Sequence, residues 1–206
     1  MIEDALLLLQ EAAAPVLVVL AGPNGAGKST FFTHFLSPTS LPFVNADLIA
    51  RELAPSDPNS VTAAAVELAT RHRLDLLGRR ASFVLETVFS DPVGDKLDFL
   101  HRAQAASFAV FLVFVGLESP MLSRARVAER VERGGHDVPP AKLGERFPRT
   151  LANLRQALGF VDLALLFDNS LVDEPFRFVA AYQHGKLMES TGVRPRWAAE
   201  LPGLHP

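Results

Sequence analysis

One short segment limits the fold of this chain more than any other feature. Residues 22–29 read Gly-Pro-Asn-Gly-Ala-Gly-Lys-Ser and match the pattern G-x-x-x-x-G-K-[ST] at every fixed position. A continuous aliphatic run precedes the segment at 16–21 and is typical of a strand buried on both faces of a parallel sheet. An amphipathic stretch begins at 29, so the segment is predicted to join a buried strand to a helix.

The residue types of this segment suit the binding of a nucleoside triphosphate. Glycines let backbone N–H groups wrap a phosphate, and the following helix adds the positive end of its dipole. Lys28 is predicted to reach the β- and γ-phosphates and act in catalysis, and the Ser29 hydroxyl to bind Mg²⁺. The predicted nucleotide-binding residues of this phosphate-binding loop are Gly22, Pro23, Asn24, Gly25, Ala26, Gly27, Lys28, Ser29 and Thr30.

The rest of the chain alternates short apolar runs with longer amphipathic stretches. Further strands are predicted at 42–45, 82–85, 108–115, 163–167 and 176–181. Helices are predicted at 2–13, 29–36, 46–53, 60–80, 93–105, 120–133 and 140–158. This alternation predicts a three-layer α/β fold with a mainly parallel sheet. We expect one domain over 1–206, with a core at 14–185, a lid-like helical segment at 118–157 and an irregular tail at 192–206 anchored by Trp197.

The composition excludes several classes of protein. Hydrophobic residues make up 49% and charged residues 21% of the 206 residues, which is typical of a folded globular chain. The 20 Lys and Arg nearly balance the 23 Asp and Glu, so general electrostatic capture of nucleic acid or of a membrane surface is not expected. Without cysteine there is no disulfide or thiolate metal site, and the histidines show no ligand spacing. The acidic N-terminus and an apolar run about half as long as a membrane span predict a cytoplasmic protein.

Two further predicted strands end in polar residues that could carry chemistry. Asn45-Ala46-Asp47 follows the second strand, and Asp47 is placed to orient an acceptor hydroxyl and accept its proton. Alternatively, Asn45 caps the next helix, and the helix dipole alone favours the negative charge of Asp47 in its first turn. Glu86-Thr87 ends the third strand, where ligands bind in such sheets, and Glu86 suits a substrate hydroxyl or the metal shell. A surface carboxylate is the alternative for Glu86.

A strand end closer to the C-terminus carries Asp168, Asn169 and Ser170. Asp168 and Asn169 are predicted to line the pocket for the nucleotide base. Ordinary turn chemistry explains the same three residues equally well.

The basic residues are mostly arginine, sixteen against four lysines, and seven of the arginines fall between 124 and 155. Five of them lie on two predicted helices, separated by a flexible and then rigid turn at 134–140. They could form a lid whose guanidinium groups neutralise charge on a transferred phosphoryl group. Genomic composition and a solvated helix face paired with glutamates are the alternatives. The five are Arg126, Arg130 and Arg133 on one stripe of the first helix, and Arg146 and Arg149 on the second.

Together these motifs resemble the zeta toxin family of phosphate-loop kinases, and especially its shorter branch described as predicted ATPases. The resemblance covers about 14–185. Its Arg126-to-Pro139 segment, with Gly-Gly-His-Asp-Val-Pro, is more specific to this branch than the phosphate-binding loop is. The matching landmarks are 21–30, 45–47, 86–87, 126–139, Arg146, Asn153-Leu154 and 168–170.

The resemblance implies a P-loop NTPase fold and transfer of the γ-phosphate of ATP or GTP to a sugar hydroxyl, with UDP-N-acetylglucosamine as the associated substrate and Mg²⁺ as cofactor. It also implies an antitoxin protein as partner. Asp47 would act as the base, and Arg130 and Arg146 as phosphate-binding arginines of the lid. The implied substrate-binding residues are Asn45, Asp47, Glu86, Thr87 and Arg126.

Two other classes of function remain open on the sequence. The first is a nucleotide-dependent ATPase or switch that acts on a protein partner, although the acidic pair of motor ATPases and the LSGGQ-like signature of transporters are absent. The second is a binding module that retains the loop without turnover. Whether the nucleotide is ATP or GTP is also open.

Overall fold

The first strand is an inner strand of a seven-stranded sheet, and all six of its residues, Val16–Ala21, are buried. The computed structural model describes residues 13–132 and 138–204. The strand order is β2-β3-β1-β4-β5-β6-β7; the first five strands are parallel to one another, β6 pairs antiparallel with β5, and β7 pairs antiparallel with β6. The strands are β1 (Val16–Ala21), β2 (Phe43–Val44), β3 (Phe83–Thr87), β4 (Ala109–Gly116), β5 (Leu163–Asp168), β6 (Arg177–Gln183) and β7 (Lys186–Ser190).

Alternate residues of β1 enter two separate apolar clusters, one on each face of the sheet. Leu17 and Val19 belong to the first cluster, and Val18 and Leu20 belong to the second. This period of two lets helices cover both faces of the sheet and produces three layers. The helices are α1 (Lys28–Phe31), continued by the π-helical turn Phe32–Leu36, α2 (Ala46–Leu53), α3 (Thr62–Gly78), α4 (Asp95–Ala105), α5 (Pro120–Glu132) and α6 (Pro140–Ala157).

The predicted three-layer α/β fold with a mainly parallel sheet is confirmed. Among residues 13–132 and 138–204, no helix is both long and apolar enough to cross a membrane. The predicted helix at 2–13 lies almost wholly outside the described residues. One strand was missed: β7 is mostly exposed and carries Lys, Glu and Ser, so it lacks the apolar run by which the inner strands were recognised.

The two helices of the predicted lid pack against each other through a small apolar cluster of their own. Val127 on α5 meets Val138 and Leu143 at the start of α6, and all three are buried. Arg133 and the glycine pair of the predicted turn lie outside the described residues.

The C-terminal segment packs against the sheet and contains a short 3₁₀ helix, Arg196–Ala198. The Trp197 ring lies 5.3 Å from the ring of Phe114 and donates a hydrogen bond to Asp168 at 2.9 Å. A Cβ atom on Gly116 would lie 2.2 Å from the indole, so only glycine fits at that position of β4. Tyr182 donates to the carbonyl of Pro202 at 2.7 Å and holds the end of the segment.

Candidate active site

The phosphate-binding loop leaves β1 at the point where the sheet order reverses, with β3 on one side of β1 and β4 on the other. Ligands bind at such a point in parallel α/β sheets. The loop approaches β4 closely: Gly22 has a φ of +146°, and a Cβ atom there would lie 2.1 Å from the carbonyl oxygen of Val115. Gly27 has a φ of +87°, and its Cβ atom would lie 2.7 Å from the side-chain nitrogen of Asn169. These positions therefore require glycine for steric reasons.

Two side chains from distant parts of the chain hold the loop from behind. Ser123 on α5 donates to the carbonyl of Asn24 at 2.7 Å. Asn169, buried just after β5, donates to the carbonyl of Ala26 at 2.9 Å and accepts from the backbone N–H of Phe176 at 3.2 Å. These bonds fix the loop in its curved shape.

Lys28 is buried at the mouth of the loop, with only 6% of its side chain exposed. Its ammonium donates to the carbonyls of Gly22 and Pro23 at 3.0 and 3.1 Å and lies 4.0 Å from the carboxylate of Glu86. Burial lowers the pKa of Lys28, the charges of Glu86 and Asp47 oppose that shift, and the charge of Arg130 adds to it. The cation therefore lies among the acidic and basic groups predicted to take part in the chemistry.

Glu86 connects the loop to the second predicted acidic motif. Its Oε2 atom accepts from the Ser29 hydroxyl at 3.0 Å and from the side-chain amide of Asn45 at 2.7 Å. Asn45 also caps α2, because its Oδ1 atom accepts from the backbone N–H groups of Asp47 and Leu48 at 2.7 and 3.2 Å. The capping interpretation of Asn45 is thus confirmed, and the cap orients the first turn of α2 beside Glu86.

A cavity of about 520 Å³ opens next to this cluster. Its walls come from β2, the starts of α2 and α4, α3, the end of β3 with the loop that follows, and α6. Its volume is in the range of small-molecule sites. Six residues singled out from the sequence line it together, namely Asn45, Asp47, Glu86, Thr87, Arg146 and Arg149.

The floor of the cavity is held by hydrogen bonds between the end of β3 and α6. Thr87 accepts from the backbone N–H of Phe89, a buried residue with a φ of +62°. Thr150 donates to the carbonyl of Val88 at 2.8 Å, and Asn153 donates to the carbonyl of Phe89 at 3.0 Å. Thr87 therefore shapes the loop as well as lining the cavity, and α6 is fastened to that loop.

Arg126 lies beside the phosphate-binding loop rather than in this cavity. Its Cβ atom is 3.1 Å from the point that a Cβ atom on Gly25 would occupy, and its guanidinium donates to the carbonyl of Ser170 at 3.4 Å. Burial is the main cause of its lowered pKa, and the charge of Asp168 opposes that shift. The predicted contact of Arg126 with the acceptor stays a prediction.

Asp168 is almost fully buried, with 1% of its surface exposed. One carboxylate oxygen accepts from Ser170 and Trp197 at 2.6 and 2.9 Å, and the other from Arg177 at 3.1 Å. These three donors hold the carboxylate within the fold. Direct binding of nucleotide by Asp168 stays a prediction, whereas Asn169 lies directly behind the loop.

Several residues of the cavity were missed from the sequence. They lie in the middle or at the start of amphipathic helices and in a loop, where no motif distinguishes them from surface residues. All four are charged, and their common place in the cavity appears only once the helices are packed. They are Arg73, Asp91, Lys96 and Lys142.

The donor types near Lys28 decide which metal ion the site could hold. Among the described residues no group of three His, Cys, Asp or Glu side chains could hold a metal ion. The Ser29 hydroxyl and the Glu86 carboxylate are adjacent hard oxygen donors. Such a pair fits Mg²⁺, which commonly keeps phosphate and water oxygens for most of its coordination sphere.

Comparison with known proteins gives one family and a set of similar folds. The model of a family described as AAA domain (AAA_33) matches residues 17–149. No curated protein matches the sequence. The AvrRxo1-ORF1:AvrRxo1-ORF2 complex with sulphate ions is similar at 20% identity and a TM-score of 0.69, over 88% of this chain and 62% of that chain. The same complex with ATP is similar at 19% identity and a TM-score of 0.68, over 88% of this chain and 62% of that chain.

The PezAT chromosomal toxin-antitoxin system of Streptococcus pneumoniae is similar at 14% identity and a TM-score of 0.62, over 87% of this chain and 78% of that chain. The chain therefore spans 62% of the length of the AvrRxo1 chains that it matches. At such identities the likeness shows a shared fold, the α/β fold with a mostly parallel sheet.

Proposed function

The chain belongs to the AAA domain family, and we propose that it is a Mg²⁺-dependent kinase that transfers the γ-phosphoryl group of ATP or GTP to a small-molecule hydroxyl. One observation carries this proposal. Glu86 bonds on one side to Ser29 of the phosphate-binding loop and on the other to Asn45, which caps the turn bearing Asp47. A nucleotide site and a cavity for an acceptor therefore share one carboxylate.

In the proposed reaction the acceptor oxygen forms a bond to the γ-phosphorus, and the bond from phosphorus to the β,γ-bridging oxygen breaks. Nucleoside diphosphate leaves, and Asp47 takes the proton of the acceptor hydroxyl. Lys28 neutralises charge on the transferred group, supported by Arg130 and Arg146. The exposed carboxylate of Asp47 lines the acceptor cavity and can meet the hydroxyl there.

Mg²⁺ would be held by the Ser29 hydroxyl and the phosphates, with Glu86 in reach of its shell. It would supply charge neutralisation between the β- and γ-phosphates. The Ser29 hydroxyl, which donates to Glu86, would be the protein ligand of the metal, and the hydrogen bond from Asn45 would keep the Glu86 carboxylate in place beside it.

The acceptor proposed is a UDP-N-acetyl sugar such as UDP-N-acetylglucosamine. Its support is the set of zeta-toxin-like motifs, together with a cavity of about 520 Å³ lined by Glu86 and Thr87. Because the similar PezAT and AvrRxo1 structures are named as a toxin-antitoxin system and a two-protein complex, we also propose a protein partner of the antitoxin kind.

The test is acceptor dependence with γ-labelled ATP, Mg²⁺ and a panel of UDP-sugars. We expect label on a sugar hydroxyl, and release of free phosphate alone, stimulated by a protein, would favour a switch ATPase instead. Asp47→Asn should lower transfer by about 10²-fold and leave nucleotide binding unchanged. Glu52→Gln on the same helix, whose side chain is exposed, is the matched control. Full transfer by Asp47→Asn would remove Asp47 from the mechanism.

A further inference from the structure

Two polar side chains are buried in α6, although the other buried residues of this helix are apolar. Thr150 is fully buried, and Asn153 is 7% exposed. Asn153 is also one of the landmarks shared with zeta-toxin-like sequences, and no step of the proposed reaction uses it. A buried polar group without a hydrogen-bond partner costs free energy, so the partners of these two side chains indicate their role.

Asn153 joins α6 to the loop that follows β3. Its side-chain nitrogen donates to the carbonyl oxygens of Phe89 at 3.0 Å and of Asp91 at 3.2 Å. Phe89 is buried and has a φ of +62°, a backbone conformation that bulky side chains rarely adopt. Such a conformation persists only where surrounding contacts hold it. Asn153 therefore stabilises the strained part of the loop, and residues 88–92 of this loop form a wall of the cavity.

Thr150 joins the same loop to the turn of α6 that carries Arg146. Its hydroxyl oxygen lies 2.8 Å from the carbonyl oxygen of Val88 and 3.0 Å from that of Arg146, so one proton is shared between two acceptors. Arg146 is half-buried and lines the cavity. One hydroxyl thus connects the loop after Glu86 and Thr87 to the backbone of an arginine that the proposed reaction uses.

The helix lacks one of its own backbone hydrogen bonds beside Arg146. Pro148 lies inside α6 and has no backbone N–H, so the bond that it would donate to the carbonyl of Gly144 is missing. Proline also favours bending of a helix at this place. The turn that carries Arg146 is therefore held less firmly by the helix itself, and the shared hydrogen bond of Thr150 becomes more important for its position.

We propose that Thr150 and Asn153 are positioning residues of the acceptor site. Thr150 fixes Arg146 relative to the end of β3, and Asn153 fixes the cavity wall at 88–92. The inference rests on the proposed kinase function and adds two residues that do not themselves line the cavity. Loss of the Thr150 hydroxyl should lower kcat, because Arg146 neutralises charge on the transferred group. Loss of the Asn153 amide should instead raise the KM for the acceptor.

The first test compares two variants of Thr150. Thr150→Val keeps the shape of the side chain and removes the hydroxyl, whereas Thr150→Ser keeps the hydroxyl. With γ-labelled ATP, Mg²⁺ and UDP-N-acetylglucosamine, we expect Thr150→Val to lower kcat about tenfold with an unchanged KM for ATP, and Thr150→Ser to restore most of the rate. The same order is expected for release of phosphate without an acceptor. Equal rates for the two variants would contradict the role of the hydroxyl.

A double-mutant cycle separates positioning from a general loss of stability. If Thr150 acts through Arg146, Thr150→Val combined with Arg146→Gln should lower kcat no further than Arg146→Gln alone. Independent, multiplicative losses in the double variant would overturn the proposal. Gln104→Ala is the matched control, because it removes a hydrogen bond of 2.9 Å to the carbonyl of Phe160, which precedes the start of β5 rather than the carboxyl end of a strand. It should destabilise the fold and leave kcat unchanged.

The second test removes both bonds from Asn153 to the loop. We expect Asn153→Ala to raise the KM for UDP-N-acetylglucosamine about tenfold and to leave binding of a non-hydrolysable ATP analogue unchanged. Equal weakening of both ligands would indicate a general structural role and contradict the proposal. If Asn153→Ala does not fold, the cycle with Thr150 and Arg146 decides the question.

Hydrogen exchange of backbone amides distinguishes failure of this proposal from failure of the proposed function, because it requires no turnover. Faster exchange at 88–92 and 141–147 in Thr150→Val than in Thr150→Ser, without transfer or phosphate release by the natural sequence, would keep the link between loop and helix and reject the kinase. Transfer that neither Thr150→Val nor Asn153→Ala affects, in KM or in kcat, would keep the kinase and reject the positioning role.

Discussion

The phosphate-binding loop and the acceptor cavity are adjacent, yet they are built in different ways. The loop consists of consecutive residues, and its shape follows from backbone geometry and steric fit, as at Gly22 against Val115. The cavity is assembled from side chains on α2, α3, α4 and α6, and its charged groups are partly desolvated. The loop is therefore recognisable in the sequence, whereas the cavity depends on how distant helices pack.

This contrast predicts unequal sensitivity to substitution. In the loop, a single added methyl group meets backbone atoms that cannot move easily. In the cavity, a changed side chain alters which acceptor binds while the fold persists. The predictions below test that difference.

The largest effect is expected for Lys28→Met. The substitution keeps an aliphatic stem of similar volume but removes the cation beside the transferred phosphoryl group. We expect phosphoryl transfer to fall by about 10³-fold. Single-turnover assays with labelled ATP measure the rate, and Lys186→Met on the exposed strand β7 serves as the control. Retention of most of the activity would mean that the loop binds nucleotide without catalysis by its lysine.

The second prediction compares two glycines. Gly22→Ala places a Cβ atom 2.1 Å from the carbonyl oxygen of Val115 and forces a φ of +146° on alanine. We expect a loss of about 2 kcal/mol in the free energy of unfolding and loss of nucleotide binding. Gly78→Ala at the end of α3 meets nothing within 4 Å and should stabilise by about 0.5 kcal/mol. Urea denaturation measures both, and equal changes would contradict the steric argument.

The third prediction concerns the support behind the loop. Asn169→Ala removes the bonds to the carbonyl of Ala26 and the N–H of Phe176, and both groups are then left without this partner. We expect about 1 kcal/mol lower stability and a KM for ATP raised about fivefold, with kcat changed less. Asn59→Ala on an exposed turn is the control. A change confined to kcat would show that Asn169 acts in chemistry rather than in positioning.

The smallest effect is a pH dependence that comes from the buried lysine. The pKa of Lys28 is lower in the folded chain than its ordinary value of 10.5, so the unfolded chain binds more protons between those two values. Stability contributed through Lys28 therefore rises with pH in that window, and Lys96 adds a rise of the same sign.

Tyr182 acts oppositely at higher pH, because burial raises its pKa from 10.0 to about 12 and the unfolded chain loses that proton first. The free energy of unfolding should thus be measured by urea titration from about pH 8 to about pH 10. Lys28→Met should flatten the rise seen in the natural sequence. An unchanged slope would mean that Lys28 is not desolvated in solution.

The sequence predicted the sheet and the loop well because local patterns determine both. Aliphatic runs marked five inner strands, and the loop motif specified Lys28 and Ser29. β7 was missed because an exposed edge strand needs no apolar face. Arg73 and Lys96 were missed because their place in the cavity is a property of packing rather than of spacing.

The carboxylates at strand ends were predicted only in part from the sequence. Parallel strands bring their carboxyl ends to one edge, so Asp47 and Glu86 were predicted to lie at one crevice; Glu86 bonds to Ser29 of the loop, and both residues line the adjoining cavity. The same rule included Asp168, whose carboxylate instead accepts three hydrogen bonds within the fold. Which way a strand-end side chain turns depends on its neighbours, and Trp197 comes from 29 residues further along the chain.

The hydrogen bond from Trp197 to Asp168 also has a spectroscopic consequence. Trp197 is the single tryptophan of the chain, and its indole lies in the interior against β4. The residue next to its partner, Asn169, bonds directly to the phosphate-binding loop. Intrinsic fluorescence excited at this one ring therefore reports the packing of the C-terminal segment against the strands that carry the loop, without any attached dye.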